Sequence, residues 1–253
     1  MRRNHGGNHL PAIVAGASLL ALGAGVLAGT PAVATGVSRT ATPNQILDAA
    51  RAATLTASSV TITVREQISG QPVSLTVSGR YPSYVRGVVL VADESEGIIV
   101  HGSTTYFEAN APIWQGAFKL SATAAATMAN KWYSTSSTDP LLGGSTGSIN
   151  PKTIERSVFT SMRDISAVKG LVIRATKIGG RAALELSDKD GAIYVAATGK
   201  PYLMRITSHN TTTTGFAEFS SYDAPVVATL PSIAGALDAA YSAALNPASS
   251  TTS

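Results

Sequence analysis

The chain contains no cysteine. Disulfide staples, thiol catalysis and zinc–thiolate sites are therefore excluded. Charge is also scarce, since Asp, Glu, Lys and Arg make up 13% of the residues. The cations are scattered singles such as Arg51, Arg65, Arg80 and Arg86, with no basic cluster. Gripping a phosphate backbone takes several cations on one face, so nucleic-acid binding is not expected. Aromatics amount to 6%. Ala, Thr, Ser, Gly and Val dominate instead, and small and β-branched residues suit a sheet-rich protein with few large rings to pack. Past Leu27 no second long apolar run appears, so no spanning helix is expected in the mature chain.

The N-terminus is the most informative stretch. Arg2 and Arg3 are followed by an uncharged, mostly apolar run from Ile13 to Leu27, the layout of an export signal. Leu27-Ala28-Gly29-Thr30 then has the shape of a bacterial lipobox with threonine in place of the cysteine. A diacylglyceryl group is attached through the thiol, so Thr30 cannot carry it. Ala32-Val33-Ala34 offers the small-x-small pattern of ordinary cleavage. The expectation is a signal over 1–34, a polar linker over 35–42, one domain over 43–240 and a disordered tail over 241–253. The protein would be secreted or extracytoplasmic, in the cell envelope, without a lipid anchor; a retained signal is the alternative. Losing Arg2 and Arg3 also moves the formal net charge of +4 closer to neutral.

Periodicity outlines the domain. Pro43 starts a helix with Ile46, Leu47, Ala50 and Ala53 on one side. The period then changes to two, with Val60, Ile62 and Val64 alternating with Thr61, Thr63 and Arg65. Further strands are expected at Val73 to Val77, Tyr84 to Val91, Gly97 to His101 and Thr104 to Glu108, with a turn at Asp93-Glu94-Ser95-Glu96. A helical insert follows, in which Trp114 and Phe118 lie four apart and an alanine-rich run reaches Met128; Lys131-Trp132-Tyr133 closes it. Residues 134–150 read as a Ser/Thr/Gly loop, and Pro151 starts another helix. A second meander is expected at Leu171 to Ile178, Ala182 to Ser187, Ala192 to Ala197, Tyr202 to Thr207 and Gly215 to Ser220, then a short helix within Ala234 to Leu245. Short strands joined by tight turns around a helical insert make a single α+β domain.

No chemistry is evident. Gly143-Gly144-Ser145-Thr146-Gly147 matches the G-x-S-x-G elbow, but a Ser/Thr-rich loop precedes it rather than the strand that elbow requires. His101 and His209, the histidines beyond the signal, have no metal or nucleophile partner nearby in sequence. Asp188-Lys189-Asp190-Gly191 lacks the remaining spacing of a calcium loop and reads as a hairpin turn; Asp93, Glu94 and Glu96 are the other acidic candidates. No enzymatic activity, metal or cofactor is expected. The alternative to an ordinary core for Trp114 and Phe118 is the lid of an apolar cavity.

Element order and two turns carry a resemblance. The late strand reads Gly199-Lys200-Pro201-Tyr202-Leu203-Met204-Arg205-Ile206, followed by Phe219-Ser220-Ser221-Tyr222-Asp223-Ala224-Pro225-Val226 and Pro231. With the signal, helix, meander and central insert, this resembles actinobacterial LppX/LprG-type lipoproteins and their wider LolA/LolB-like superfamily, from about Pro43 to Pro231. The resemblance implies a strongly curved antiparallel half-barrel with helices covering the concave face. It also implies an apolar cavity that carries acyl chains of lipids or acylated proteins through the envelope. Ile62, Val64, Leu75, Val77 and Val89 on strands, with Trp114 and Phe118 on the insert, are the expected cavity-lining residues. Thr30 departs from the lipoprotein pattern, which leaves a soluble carrier. The second reading is an envelope protein-binding or stress-sensing module on the same half-barrel.

Overall fold

A computed structural model describes residues 40–246 except 69, 81, 143–144, 167–170, 210–212 and 233. The expected signal, most of the linker and the last seven residues lie outside these, as do Gly143 and Gly144.

The first helix, α1 (Pro43–Thr56), begins where its sequence dictates. Thr42 caps it, accepting from Gln45 N at 3.3 Å while Thr42 N donates to Gln45 Oε1 at 2.9 Å, and Pro43 fills a position needing no N–H. Its buried stripe is Ile46, Leu47, Ala50 and Thr54.

Among the described residues, twelve strands then build one curved, unclosed sheet. In chain order they are β1 (Val60–Ile68), β2 (Gln71–Arg80), β3 (Tyr84–Val91), β4 (Glu94–His101), β5 (Thr104–Ala109), β6 (Tyr133–Ser136), β7 (Val172–Ile178), β8 (Arg181–Ser187), β9 (Gly191–Ala196), β10 (Leu203–His209), β11 (Thr213–Ser220) and β12 (Gly235–Ala236). Across the sheet the order is β12-β6-β5-β4-β3-β2-β1-β11-β10-β9-β8-β7. The two meanders are thus joined at β1–β11, where Ile62 faces Phe219 and Val64 faces Ala217. Pairing is antiparallel apart from the short β6–β12 ladder, which is parallel and makes the sheet mixed. The expected antiparallel half-barrel is thus observed with one short parallel ladder at its edge, and the reason for that ladder is a long return. After β11 the chain runs past Tyr84, whose hydroxyl donates to Thr229 O at 3.2 Å, and reaches β6 from the same direction in which β6 runs.

Helices cover the inner face. They are α2 (Ala111–Gly116), α3 (Ala122–Met128), α4 (Ser145–Ser148), α5 (Pro151–Ser166) and α6 (Leu237–Leu245). α1 lies over β9 and β10, α5 over β1 and β2, α2 over β4, and α6 over β6. The period-two alternation therefore has a direct meaning. Val60, Ile62, Val64 and Glu66 are buried on the inner face of β1, whereas Thr61, Thr63 and Arg65 point outward and are partly or fully exposed.

Several expectations are corrected. The insert is two helices, because Lys119 takes φ 58° and Ser121 starts a new cap, its side chain accepting from Ala124 N. The acidic run at 93–96 is mostly strand: Ala92 takes φ 52°, Val91 pairs with Glu94, and only Ala92 and Asp93 form the turn. The expected loop 134–150 contains most of β6, a 3₁₀ turn at Pro140–Leu142 and α4. The domain boundary at 240 falls inside α6, where the Tyr241 hydroxyl donates to Phe118 O at 3.0 Å.

Candidate functional site

Strand pairing brings the five expected strand residues together. Ile62 faces Val77 across β1–β2, and Val64, Leu75 and Val89 form one row across β1, β2 and β3. All five lie on the inner face; Leu75 is partly buried and the others are buried. The residue between Val77 and Ile98 in the next row is Gly87. A Cβ there would stand 2.7 Å from Ile149 Cγ2, so the absence of a side chain lets the segment before α5 settle directly on the sheet.

Trp114 and Phe118 belong to the same buried core and sit at its β5–β6 end. Their rings are 4.5 Å apart, and Phe107 of β5 contacts both, at 5.4 and 5.6 Å between centroids. Tyr133 meets Trp114 edge-on at 5.8 Å, and Tyr241 meets Phe118 at 6.1 Å. Trp114 is fully buried, and its Nε1 donates to Ala109 O at 3.2 Å. An indole held this way at both ends is packed as core.

Beyond the aliphatic rows the inner face turns acidic. Glu66 continues the buried face of β1, and Glu94 and Glu96 occupy the same face of β4. One lateral row reads Glu66, Val73, Val91, Glu94. Glu66 is 4% exposed and neither carboxylate oxygen has a hydrogen-bond partner; Glu96 is 8% exposed and its Oε2 has none. Burial pushes the Glu66 carboxyl up to about 7. Burial, aided by the neighbouring Glu94 charge, pushes Glu96 to about 7 as well. A third buried acid, Glu155 on α5, differs because Lys152 Nζ donates to its Oε2 at 2.9 Å. On the opposite, outward face of the same strands a depression of about 600 Å³ is lined by Arg65, Gln67, Ser74, Leu90 and Phe216 among others.

Sequence reasoning did not single out Glu66 and placed Glu94 and Glu96 in a turn. The signal for Glu66 was present, since it continues the even-numbered series of Val60, Ile62 and Val64. The signal for Glu94 and Glu96 was hidden by a charged composition typical of turns.

The two turns that carried the resemblance meet. Lys200 Nζ donates to Asp223 Oδ2 at 2.9 Å, and the Tyr202 hydroxyl donates to the same oxygen. Ser58 N donates to Asp223 Oδ1 at 2.7 Å, tying the start of β1 to the same carboxylate. These donors hold the Asp223 carboxyl well below the usual range.

The other candidates are not gathered into a site. His101 and His209 are exposed ends of β4 and β10, with β3, β2, β1 and β11 between them. Asp188 Oδ1 accepts from Asp190 N and Gly191 N at 2.8 and 3.0 Å, the geometry of a hairpin turn. Ser145 opens α4, and the described segment before it is the 3₁₀ turn rather than a strand. Among the described residues there is no group of three or more His, Asp or Glu that could hold a metal ion, and no helix long and apolar enough to cross a membrane.

Two solved mycobacterial structures are similar to this chain. LprF from Mycobacterium bovis matches with a TM-score of 0.46 and 16% identity, over 76% of this chain and 96% of its own. The lipoprotein LppX from Mycobacterium tuberculosis matches with a TM-score of 0.45 and 14% identity, over 74% of this chain and 100% of its own. No protein-family model matches the chain, and no curated protein does.

Proposed function

We propose that this protein is an exported, non-enzymatic carrier of the LppX/LprG type, which holds acyl chains of lipids or acylated proteins between its sheet and its helices. It works in the cell envelope without a lipid anchor of its own. The observation that supports this reading is the aliphatic patch of Ile62, Val64, Leu75, Val77 and Val89, roofed by helix instead of by a second sheet. Among the described residues no backbone hydrogen bond joins α5 to the sheet. The roof is held by side-chain packing, so it can lift without breaking a strand ladder. Acyl chains taking its place bury apolar surface worth about 0.8 kcal/mol per CH₂, and this needs no catalytic group.

The test is displacement of a fluorescent fatty acid from the purified chain, compared with Leu75→Asp. Leu75 is only partly buried, so a charge there is tolerated by the fold while spoiling the apolar row. Loss of binding with an unchanged circular dichroism spectrum is expected. Unchanged binding in the folded variant overturns the assignment of these rows and moves the reading to a protein-binding module.

A further inference from the structure

Charge on β1–β4 is sorted by face. The cations Arg65, Arg80 and Arg86 occupy outward positions, whereas the acids Glu66, Glu94 and Glu96 all occupy inward ones. A buried carboxylate without a partner is costly, and proteins normally pair it or place it in water. Glu66 has no hydrogen-bond partner on either oxygen and Glu96 lacks one on Oε2. Glu66 lies one row beyond Val64 on β1, beside Val73, and Glu96 closes the Val64–Leu75–Val89 row on β4. Three inter-strand steps separate β1 from β4, roughly 14 Å along the sheet. The two acids therefore flank the apolar rows from opposite sides, and a single head meets Glu66 alone. In the row that holds Glu66, the inward Val73 and Glu94 are only partly buried, so this end of the inner face reaches solvent. Arg65 precedes Glu66 on the outward face, and an anionic head is the competitor to be tested.

We propose that this acidic end is a headgroup subsite for a cationic amphiphile, in which Glu66 pairs with the ammonium group of an amino lipid whose alkyl chain runs along the strands over Val64, Leu75, Ile62 and Val77. The proposal rests on the carrier reading and adds the class of head. An arriving ammonium supplies the missing donors to Glu66 and favours the ionised carboxylate, so empty and loaded states differ in the pairing of one buried charge. The opposite end of the same rows offers no such partner: its inward residues are Val60, Gly79, Val85 and Val100.

The experiment uses the expressed chain and three probes of equal chain length: hexadecylamine, hexadecanol and palmitate. Affinities are measured by competition at about pH 8, above the raised carboxyl values. The amine is expected to bind about ten- to a hundredfold more tightly than the alcohol, the worth of a charge-assisted hydrogen bond, and palmitate least. Glu66→Leu should bring the amine to the level of the alcohol and leave the alcohol unchanged. Glu66→Gln, close to isosteric, should do the same, and Glu66→Asp should retain part of the preference. Equal binding of amine and alcohol by the parent, or tighter binding of palmitate, overturns the headgroup subsite and leaves the carrier reading standing. Parallel loss of amine and alcohol in both Glu66→Leu and Glu66→Gln also overturns it, because the carboxyl would then be structural. Failure of all three probes to bind the parent overturns the carrier reading and the subsite together.

Discussion

Tyr202 and Tyr222 stack face to face, with 4.1 Å between ring centroids and 9° between their planes. The stack joins the turn before β10 to the turn after β11, and both tyrosines are anchored at their hydroxyls. Tyr222 donates to Leu203 O at 2.9 Å, and Tyr202 donates to Asp223. Leu203 N in turn donates to Thr54 Oγ1 at 3.1 Å, which ties the end of α1 to the same knot. Residues distant in sequence are thereby locked where the two meanders meet.

Asp223→Ala should loosen this knot. It removes the acceptor for Ser58, Lys200 and Tyr202. The carboxylate is partly exposed, so screening reduces its worth, and a loss of about 1–2 kcal/mol in urea unfolding is expected. The pH dependence follows from its lowered pKa. The stabilisation is complete above the ordinary aspartate value of 3.8 and is lost as pH falls below it. The parent should therefore lose more stability than Asp223→Ala on acidification below about pH 4.

Glu66 and Glu96 act in the opposite sense. Both hold a proton to about pH 7 in the fold, against an ordinary value of 4.5. Between those values the native state binds more protons than the unfolded chain, so stability falls as pH rises through the window and levels off above it. The loss is on the order of 2 kcal/mol per group between pH 5 and pH 8, in the absence of ligand. Glu66→Gln should flatten part of the slope when unfolding is followed at several pH values.

Gly87→Ala tests the seat of Ile149. The new methyl would stand 2.7 Å from Ile149 Cγ2 and 3.1 Å from its Cβ. A cost of about 1–3 kcal/mol is expected from overpacking. In an Ile149→Ala background the same substitution should cost less than about 0.5 kcal/mol, and a double-mutant cycle reads the difference.

Trp114→Ala should be the more damaging core change, by about 3–5 kcal/mol. It empties the centre of the cluster formed with Phe107, Phe118 and Tyr133 and removes one of the two donors to Ala109 O, which keeps Asn130 N. Trp114→Phe keeps the apolar contacts and should cost less in thermal unfolding.

Local periodicity made much of this fold legible. β3 runs from Tyr84 to Val91 as its alternation indicates, and α1 and α5 start at Pro43 and Pro151 where the helix signals lie. What stayed hidden depended on single backbone conformations or on distant partners. The positive φ at Ala92 shortens the β3–β4 turn and turns two apparent turn acids into inward strand residues. The positive φ at Lys119 divides the insert. β12 is only two residues long and exists because β6 offers an edge, a fact no local pattern encodes. Among the seven expected lining residues, the alternation put Ile62, Val64, Leu75, Val77 and Val89 on one face. Helical spacing joined Trp114 to Phe118, but could not reveal that both pack against Phe107 of β5.

The most direct test of the account is native mass spectrometry of the protein purified from its own host, followed by solvent extraction. The carrier reading predicts a reproducible mass adduct and an extract containing one or more acyl chains. A bare protein mass with an empty extract would contradict it.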